Sequence, residues 1–214
     1  MVTSGVSVAA SASHHRGMPF LTEVITLFSH YKIVGKSTIN EIWIRHFLDS
    51  VQVIDFINKK DKTLVDLGSG AGFPGVVLSI AAKDRKIPLK VKLIEKSPKK
   101  TKFLENLINQ LHLDVEVINQ NILEETKKLS EDIFVARAFK PLKIILELIH
   151  NNAKNWKKIF IFLGKTGKHE LLQASKSWDI EYKQRVSVTS NDSIVIEINK
   201  LIKKINPYMK SKKI

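Results

Sequence analysis

Residues 64–75 read Leu-Val-Asp-Leu-Gly-Ser-Gly-Ala-Gly-Phe-Pro-Gly, an apolar run that breaks into glycines at 68, 70 and 72. Glycines so spaced let the backbone turn sharply and leave no side chain between the loop and a bound ligand, and Pro74 suits the first turn of a following helix. Gly70, Gly72 and Gly75 also satisfy G-x-G-x-x-G, a dinucleotide fingerprint that is weak evidence when it stands alone. Two acids flank the loop: Asp66, two residues before the first glycine, and Glu95, at the end of the next predicted strand. A carboxylate at Glu95 could accept hydrogen bonds from ribose hydroxyls. An isolated acid is more often a helix cap or a surface ion partner, but both acids fall beside the glycine loop, which favours ligand contact.

Other residues carry weaker chemical signals. Arg137 ends a predicted strand, where its planar fork could hold a carboxylate or a phosphate, or pair with Asp66 or Glu95. His46, Asp49 and Ser50 share a helix face by their i,i+3 and i,i+4 spacing and could clasp the helix to the glycine loop. Phe73 and Phe139 could stack on a base or belong to the core. Lys165, in Gly164-Lys165-Thr166-Gly167-Lys168, could contact phosphate, but the segment lacks the glycine spacing of a nucleotide-hydrolysing loop. The seven histidines show no metal-ligand spacing beyond the pair His14-His15, so no metal is expected. The chain has no cysteine, which excludes disulfides, thiolate metal sites and a cysteine nucleophile.

Positioning these residues falls to an alternation of short β-branched runs and helical periods. Strands are expected at 63–67, 91–95, 115–119, 133–137 and 159–163, and helices at 75–83, 98–112, 142–152 and 169–177. That order implies a parallel sheet covered on both faces by helices. Residues 182–189 and 193–199 are strand-like and joined by Ser190-Asn191-Asp192, so they should pair antiparallel as a hairpin. Two helices, at 22–31 and 39–57, precede the sheet, the second with Ser37 or Thr38 as a possible N-cap.

The 214 residues fit one domain of about 100–200 residues with an extension, and the 43% hydrophobic content suffices for a core. The expected division is a disordered leader at 1–19, a helical extension at 20–60, the α/β domain at 61–205 and a basic tail at 206–214. No run approaches the roughly 18 apolar residues of a membrane span, and no secretory signal is evident, so a cytoplasmic protein without a membrane partner is expected; a monomer is favoured, with the oligomeric state left open. Lys+Arg 35 against Asp+Glu 21 gives a formal charge of +14, which suits a polyanionic partner, although lysine-rich composition is often only solvated surface. The stretch 200–213 holds six lysines and no acid, a candidate for RNA backbone contacts.

A mostly parallel α/β sheet closed by one C-terminal antiparallel hairpin, with N-terminal helices in front, is the layout of the class I S-adenosylmethionine-dependent methyltransferase fold, which is Rossmann-like; a nicotinamide-binding domain would continue with another crossover. Within that fold the acid before the first glycine has its counterpart in Asp66.

Three segments together resemble the ribosomal small subunit methyltransferase G family, also called glucose-inhibited division protein B: Arg45-His46-Phe47-Leu48-Asp49-Ser50, the loop from Asp66 to Gly75, and Arg137-Ala138-Phe139. The resemblance covers about 37–199. It implies methyl transfer from S-adenosylmethionine to N7 of a guanine in 16S ribosomal RNA, with that RNA or the small ribosomal subunit as partner. The family's cofactor contacts fall on Gly68, Phe73, the Ile122-Leu123 pair and Arg137, alongside Asp66, Gly70, Gly72 and Glu95 from the loop reading. His46, Asp49, Ser50, Phe139 and Lys165 are expected as neighbours of the site. The chain departs from the family where Asn121, Ile122 and Leu123 replace an Arg and a Val-Glu pair, leaving backbone contacts only. It departs again at 28–35, which do not reproduce the family's K-W-N-K-x-x-N-L.

Guanine N7 has a free lone pair, so attack on a sulfonium methyl requires no general base. Exocyclic-amine methylation is disfavoured, because Arg137-Ala138-Phe139-Lys140-Pro141 stands where those enzymes carry Asn or Asp before Pro-Pro and an aromatic residue. Remaining alternatives are a methyltransferase of the same fold acting on a small molecule or protein, a non-catalytic RNA-binding relative, and a nicotinamide oxidoreductase; the intact loop argues against the second and the hairpin against the third.

Overall fold

Strands buried on both faces read as near-continuous apolar runs, and Thr63–Leu67, Ile133–Arg137 and Lys158–Leu163 do so, interrupted by Asp66 and with a polar or charged residue at one end of each. In the computed structural model, which describes residues 43–124 and 128–204, they form the centre of a seven-stranded sheet. The strands are β1 (Thr63–Leu67), β2 (Lys90–Glu95), β3 (Val115–Asn119), β4 (Ile133–Arg137), β5 (Lys158–Leu163), β6 (Trp178–Ser187) and β7 (Ser190–Lys203), in spatial order β3-β2-β1-β4-β5-β7-β6. The first five are mutually parallel; β7 pairs antiparallel with both β5 and β6.

Four helices cover the sheet: Gly75–Asp84, Pro98–Gln110, Leu142–Asn152 and Gly167–Ser177. They are labelled α2 to α5, because a short turn, α1 (Asp49–Val51), precedes β1. Successive residues of β1 serve opposite cores, Leu64 packing with Leu104 and Leu107 of α3 and Val65 with Leu146 and Ile149 of α4. The expected α/β class, strand alternation and terminal hairpin are all present.

Two expectations need correction. The helix foreseen at 39–57 is, over its described part, a π-helical turn (Trp43–Leu48), then α1, then a 3-10 turn (Ile54–Phe56). In a regular helix of 3.6 residues per turn Asp49 would lie about 200° around from Phe47; both are buried, Phe47 in the core and Asp49 against the hairpin turn. The hairpin turn is at Val188-Thr189 rather than Ser190-Asn191-Asp192. Ser187 and Thr189 each donate a side-chain hydrogen bond to Asp49 Oδ1, at 2.8 and 3.1 Å, so a distant residue sets the turn over local composition. The leader, the helix at 22–31, the possible caps Ser37 and Thr38, and the tail at 206–214 lie outside the described residues.

Candidate active site

The carboxyl ends of β1, β2, β3 and β4 surround a cavity of about 680 Å³. Gly68 leaves β1 with φ +72°, and a Cβ there would collide with the ring of Phe139, so this position requires glycine twice over. Gly68 and Ser69 both donate backbone N–H bonds to Ile94 O of β2, at 2.9 and 3.0 Å, which pins the loop over the neighbouring strand. A Cβ on Gly70 would meet no atom nearer than 3.9 Å; it would project into the open space of the cavity. The loop is therefore open to the cavity at Gly70, whereas the Phe139 ring covers it at Gly68.

Glu95 lines the cavity and braces its rim. Its Oε2 accepts the Gly70 N–H at 2.9 Å and its Oε1 the Ser97 N–H at 2.8 Å. A carboxylate has about four lone-pair sites, so capacity remains for ribose hydroxyls.

Asp66 lies elsewhere than expected. It is fully buried beneath the loop and does not line the cavity. Its Oδ2 accepts the Gly75 N–H at 2.8 Å, fixing the start of α2, while Oδ1 has no partner. Burial pushes its pKa up to about 7, against the lowering effect of the Gly75 bond.

Arg137 also differs from both pairings foreseen for it. Its Nε is 2.9 Å from Asp49 Oδ2, its Nη2 donates to Arg45 O at 2.6 Å, and its Nη1 lies 3.0 Å from His46 Nδ1. The fork is thus turned toward the leading turn, away from Asp66 and Glu95, although Arg137 still lines the cavity. Arginine has no acceptor, so His46 Nδ1 must be the acceptor and the ring proton sits on Nε2. Burial and the Arg137 charge hold the His46 pKa down to about 4, which keeps the ring neutral at neutral pH. The ring stacks on Phe73 at 4.9 Å, and Phe47 meets Phe73 edge-on at 5.3 Å.

Ile122 and Leu123 line the cavity from the turn after β3, Ile122 with its side chain in the core and Leu123 half exposed. Four expected positions stand back from it. Gly72 faces α2, where a Cβ would strike Val76. Asp49 and Ser50 are buried behind Arg137. The Lys165 side chain is 84% exposed, 3.8 Å from Asp192. Conversely, Lys96, Lys100, Gln120 and Lys140 line the cavity and were not singled out. Their common signal is position, just past the carboxyl ends of parallel strands, where ligands bind in open α/β sheets. Among the described residues no His, Cys, Asp or Glu cluster is suited to a metal ion, and no helix is long and apolar enough to cross a membrane.

Strand order, terminal hairpin and glycine cradle together define an S-adenosylmethionine-dependent methyltransferase of class I. The same fold is seen in the mitomycin 7-O-methyltransferase MmcR (TM-score 0.58, 14% identity, 82% of this chain and 60% of that one). It is also seen in M. capricolum TrmK, solved in complex with S-adenosyl-homocysteine (TM-score 0.51, 19% identity, 71% of this chain and 67% of that one). A family model described as rRNA small subunit methyltransferase G matches residues 16–197. The ribosomal RNA small subunit methyltransferase G of Pelagibacter ubique (strain HTCC1062) is 40% identical over 174 residues, 80% of this chain and 81% of its own. The chain belongs to the rRNA small subunit methyltransferase G family.

Proposed function

We propose that the chain transfers the methyl group of S-adenosylmethionine to N7 of a guanine in 16S ribosomal RNA, in the cytoplasm, on the free RNA or the small subunit. The observation that carries this reading is the open, side-chain-free position at Gly70 beside Glu95, in a chain of this family. S-adenosylmethionine supplies an electrophilic methyl group on a sulfonium. Gly70 allows its close approach, and Glu95 has lone pairs left for its ribose.

N7 carries a free lone pair, so the chain has no proton to remove and its work is orientation and exclusion of water, effects worth about 7–11 kcal/mol in favourable systems. The cavity groups agree with that division. His46 is neutral with Nδ1 committed to Arg137, and both Glu95 oxygens hold backbone N–H groups. Lys96, Lys100 and Lys140 surround the opening with positive charge, which suits the RNA phosphates. The test is parallel calorimetric titration with S-adenosylmethionine and NAD, with Gly68→Asp as control, followed by mapping of the methylated base on unmodified small-subunit RNA. Binding of S-adenosylmethionine alone and a methyl on guanine N7 are expected; NAD binding, or a methyl elsewhere, overturns the reading.

A further inference from the structure

A second cavity, of about 250 Å³, opens at the carboxyl ends of β4 and β5. It shares Ala138, Phe139 and Lys140 with the first, so the two adjoin across the Phe139 ring, which itself rests on Gly68. Ala138 holds φ +50°, a conformation that costs a residue with a Cβ about 1–3 kcal/mol and that clusters at ligand sites. Here it sends Arg137 toward the leading turn and Phe139 between the cavities.

The smaller cavity is lined by apolar side chains, among them Pro141, Ile145 and Phe162, and by two charged residues, Lys140 and a single acid, Glu170. Its carboxylate is held at both ends: Oε2 accepts the Leu142 N–H at 2.7 Å and Oε1 the Thr166 hydroxyl at 2.8 Å. Each oxygen retains a lone pair. A fixed carboxylate beside flat apolar side chains is matched by a flat ligand with two adjacent donors on one edge, and guanine offers N1–H and the N2 amine. N7 lies on the opposite, major-groove edge of the base. A guanine with its amine edge on Glu170 therefore turns N7 back toward the cofactor cavity.

We infer that this cavity receives the acceptor guanine and that Glu170 is its specificity-determining residue, an inference that rests on the function proposed above. Adenine also has an N7, but it sets an unprotonated N1 against the carboxylate, leaving two acceptors facing each other.

Gly164 lines the cavity, and a Cβ there meets no atom within 4 Å, so Gly164→Leu adds bulk at the cavity wall without a clash at its Cβ. Its melting temperature and S-adenosylmethionine affinity should match the parent, while methyl transfer to unmodified small-subunit RNA falls about 100-fold, as misplacement of a reactant does. The second comparison uses a transcript with inosine at the mapped guanine, which keeps N7 and N1–H but lacks the amine. The parent should slow about tenfold on inosine, the loss of one charged hydrogen bond, and Glu170→Gln should no longer distinguish the two transcripts. Full transfer by Gly164→Leu, or a parent indifferent to inosine, overturns this inference alone. A parent that places no methyl on guanine N7 overturns the proposed function first, and this inference with it.

Discussion

Arg137, the last residue of β4, and Asp49, in the turn ahead of the sheet, form an ion pair of 2.9 Å with side chains only 19% and 12% exposed. Asp49 carries more than this one bond. It also accepts from Ser187, Thr189 and Gln52, so the leading turn, the cavity wall and the hairpin meet on one carboxylate.

Removing one member of such a pair strands the other. Arg137→Ala leaves Asp49 largely buried without its cation and should lower unfolding free energy on the order of 3 kcal/mol. Asp49→Asn should cost a similar amount, and the double variant much less than the sum. Urea denaturation of the three chains measures this, and simple additivity would count against a coupled pair.

The two loop glycines should fail differently. Gly68→Ala places a methyl against the Phe139 ring and strains a φ of +72°, so both stability and S-adenosylmethionine binding should suffer. Gly70→Ala also carries positive φ, a penalty of about 1–2 kcal/mol, but its methyl enters open cavity. Its melting temperature should fall less than that of Gly68→Ala while cofactor affinity is still lost. Equal melting losses would show that Phe139 does not press on Gly68.

Two buried groups should tilt stability against pH in opposite directions. His46 is held at about 4 against an ordinary 6.5, chiefly by burial and then by Arg137. Between those values the unfolded chain binds a proton that the folded chain refuses, so stability rises with pH. Asp66 is raised by burial from 3.8 to about 7, so over most of that range the folded chain keeps a proton that the unfolded chain has released, and stability falls as pH rises. His46→Gln should therefore expose a downward slope from about pH 4 to 6.5, and Asp66→Asn an upward one. Urea midpoints across that window decide it; slopes of the same sign in both variants would refute the assignment.

The hairpin turn offers a milder lever on the same junction. Ser187→Ala and Thr189→Val each remove one hydrogen bond to Asp49, at about 1 kcal/mol apiece. The losses should shrink markedly in an Asp49→Asn background, where the acceptor has lost its charge. Undiminished losses there would mean that the hydroxyls act through the turn itself.

Legibility in the sequence followed the range of the interactions. The bounds of β1, β3, β4 and α4 agree with the sequence reading residue for residue, because each rests on local apolar periodicity and a nearby turn. Gly68, Gly70, Phe73, Glu95 and Arg137 do line the cavity, because glycine spacing and strand ends are also local signals. Asp66 was misplaced because sequence position does not reveal that its carboxylate turns down to Gly75. The partner of Arg137 was missed for a related reason: His46 and Asp49 were readable as a shared helix face, but what that face meets is decided by the sheet. The broken helix and the shifted hairpin turn meet at Asp49, whose hydrogen bonds reach Ser187 and Thr189, remote in the chain.

The position of β7 between β5 and β6 has a consequence for the order of assembly. β6 is made before β7, yet its sheet partner is β7 alone, so on emerging from the ribosome β6 finds no edge to join. The same delay holds Ser187 and Thr189 away from Asp49 until the last strand has entered the sheet. A polypeptide that stops before Ser190 could fold the parallel half and its glycine loop, but the contacts that link the hairpin to Asp49, and through it to Arg137, would be missing. β7 is thus the strand that ties the hairpin to the cavity wall.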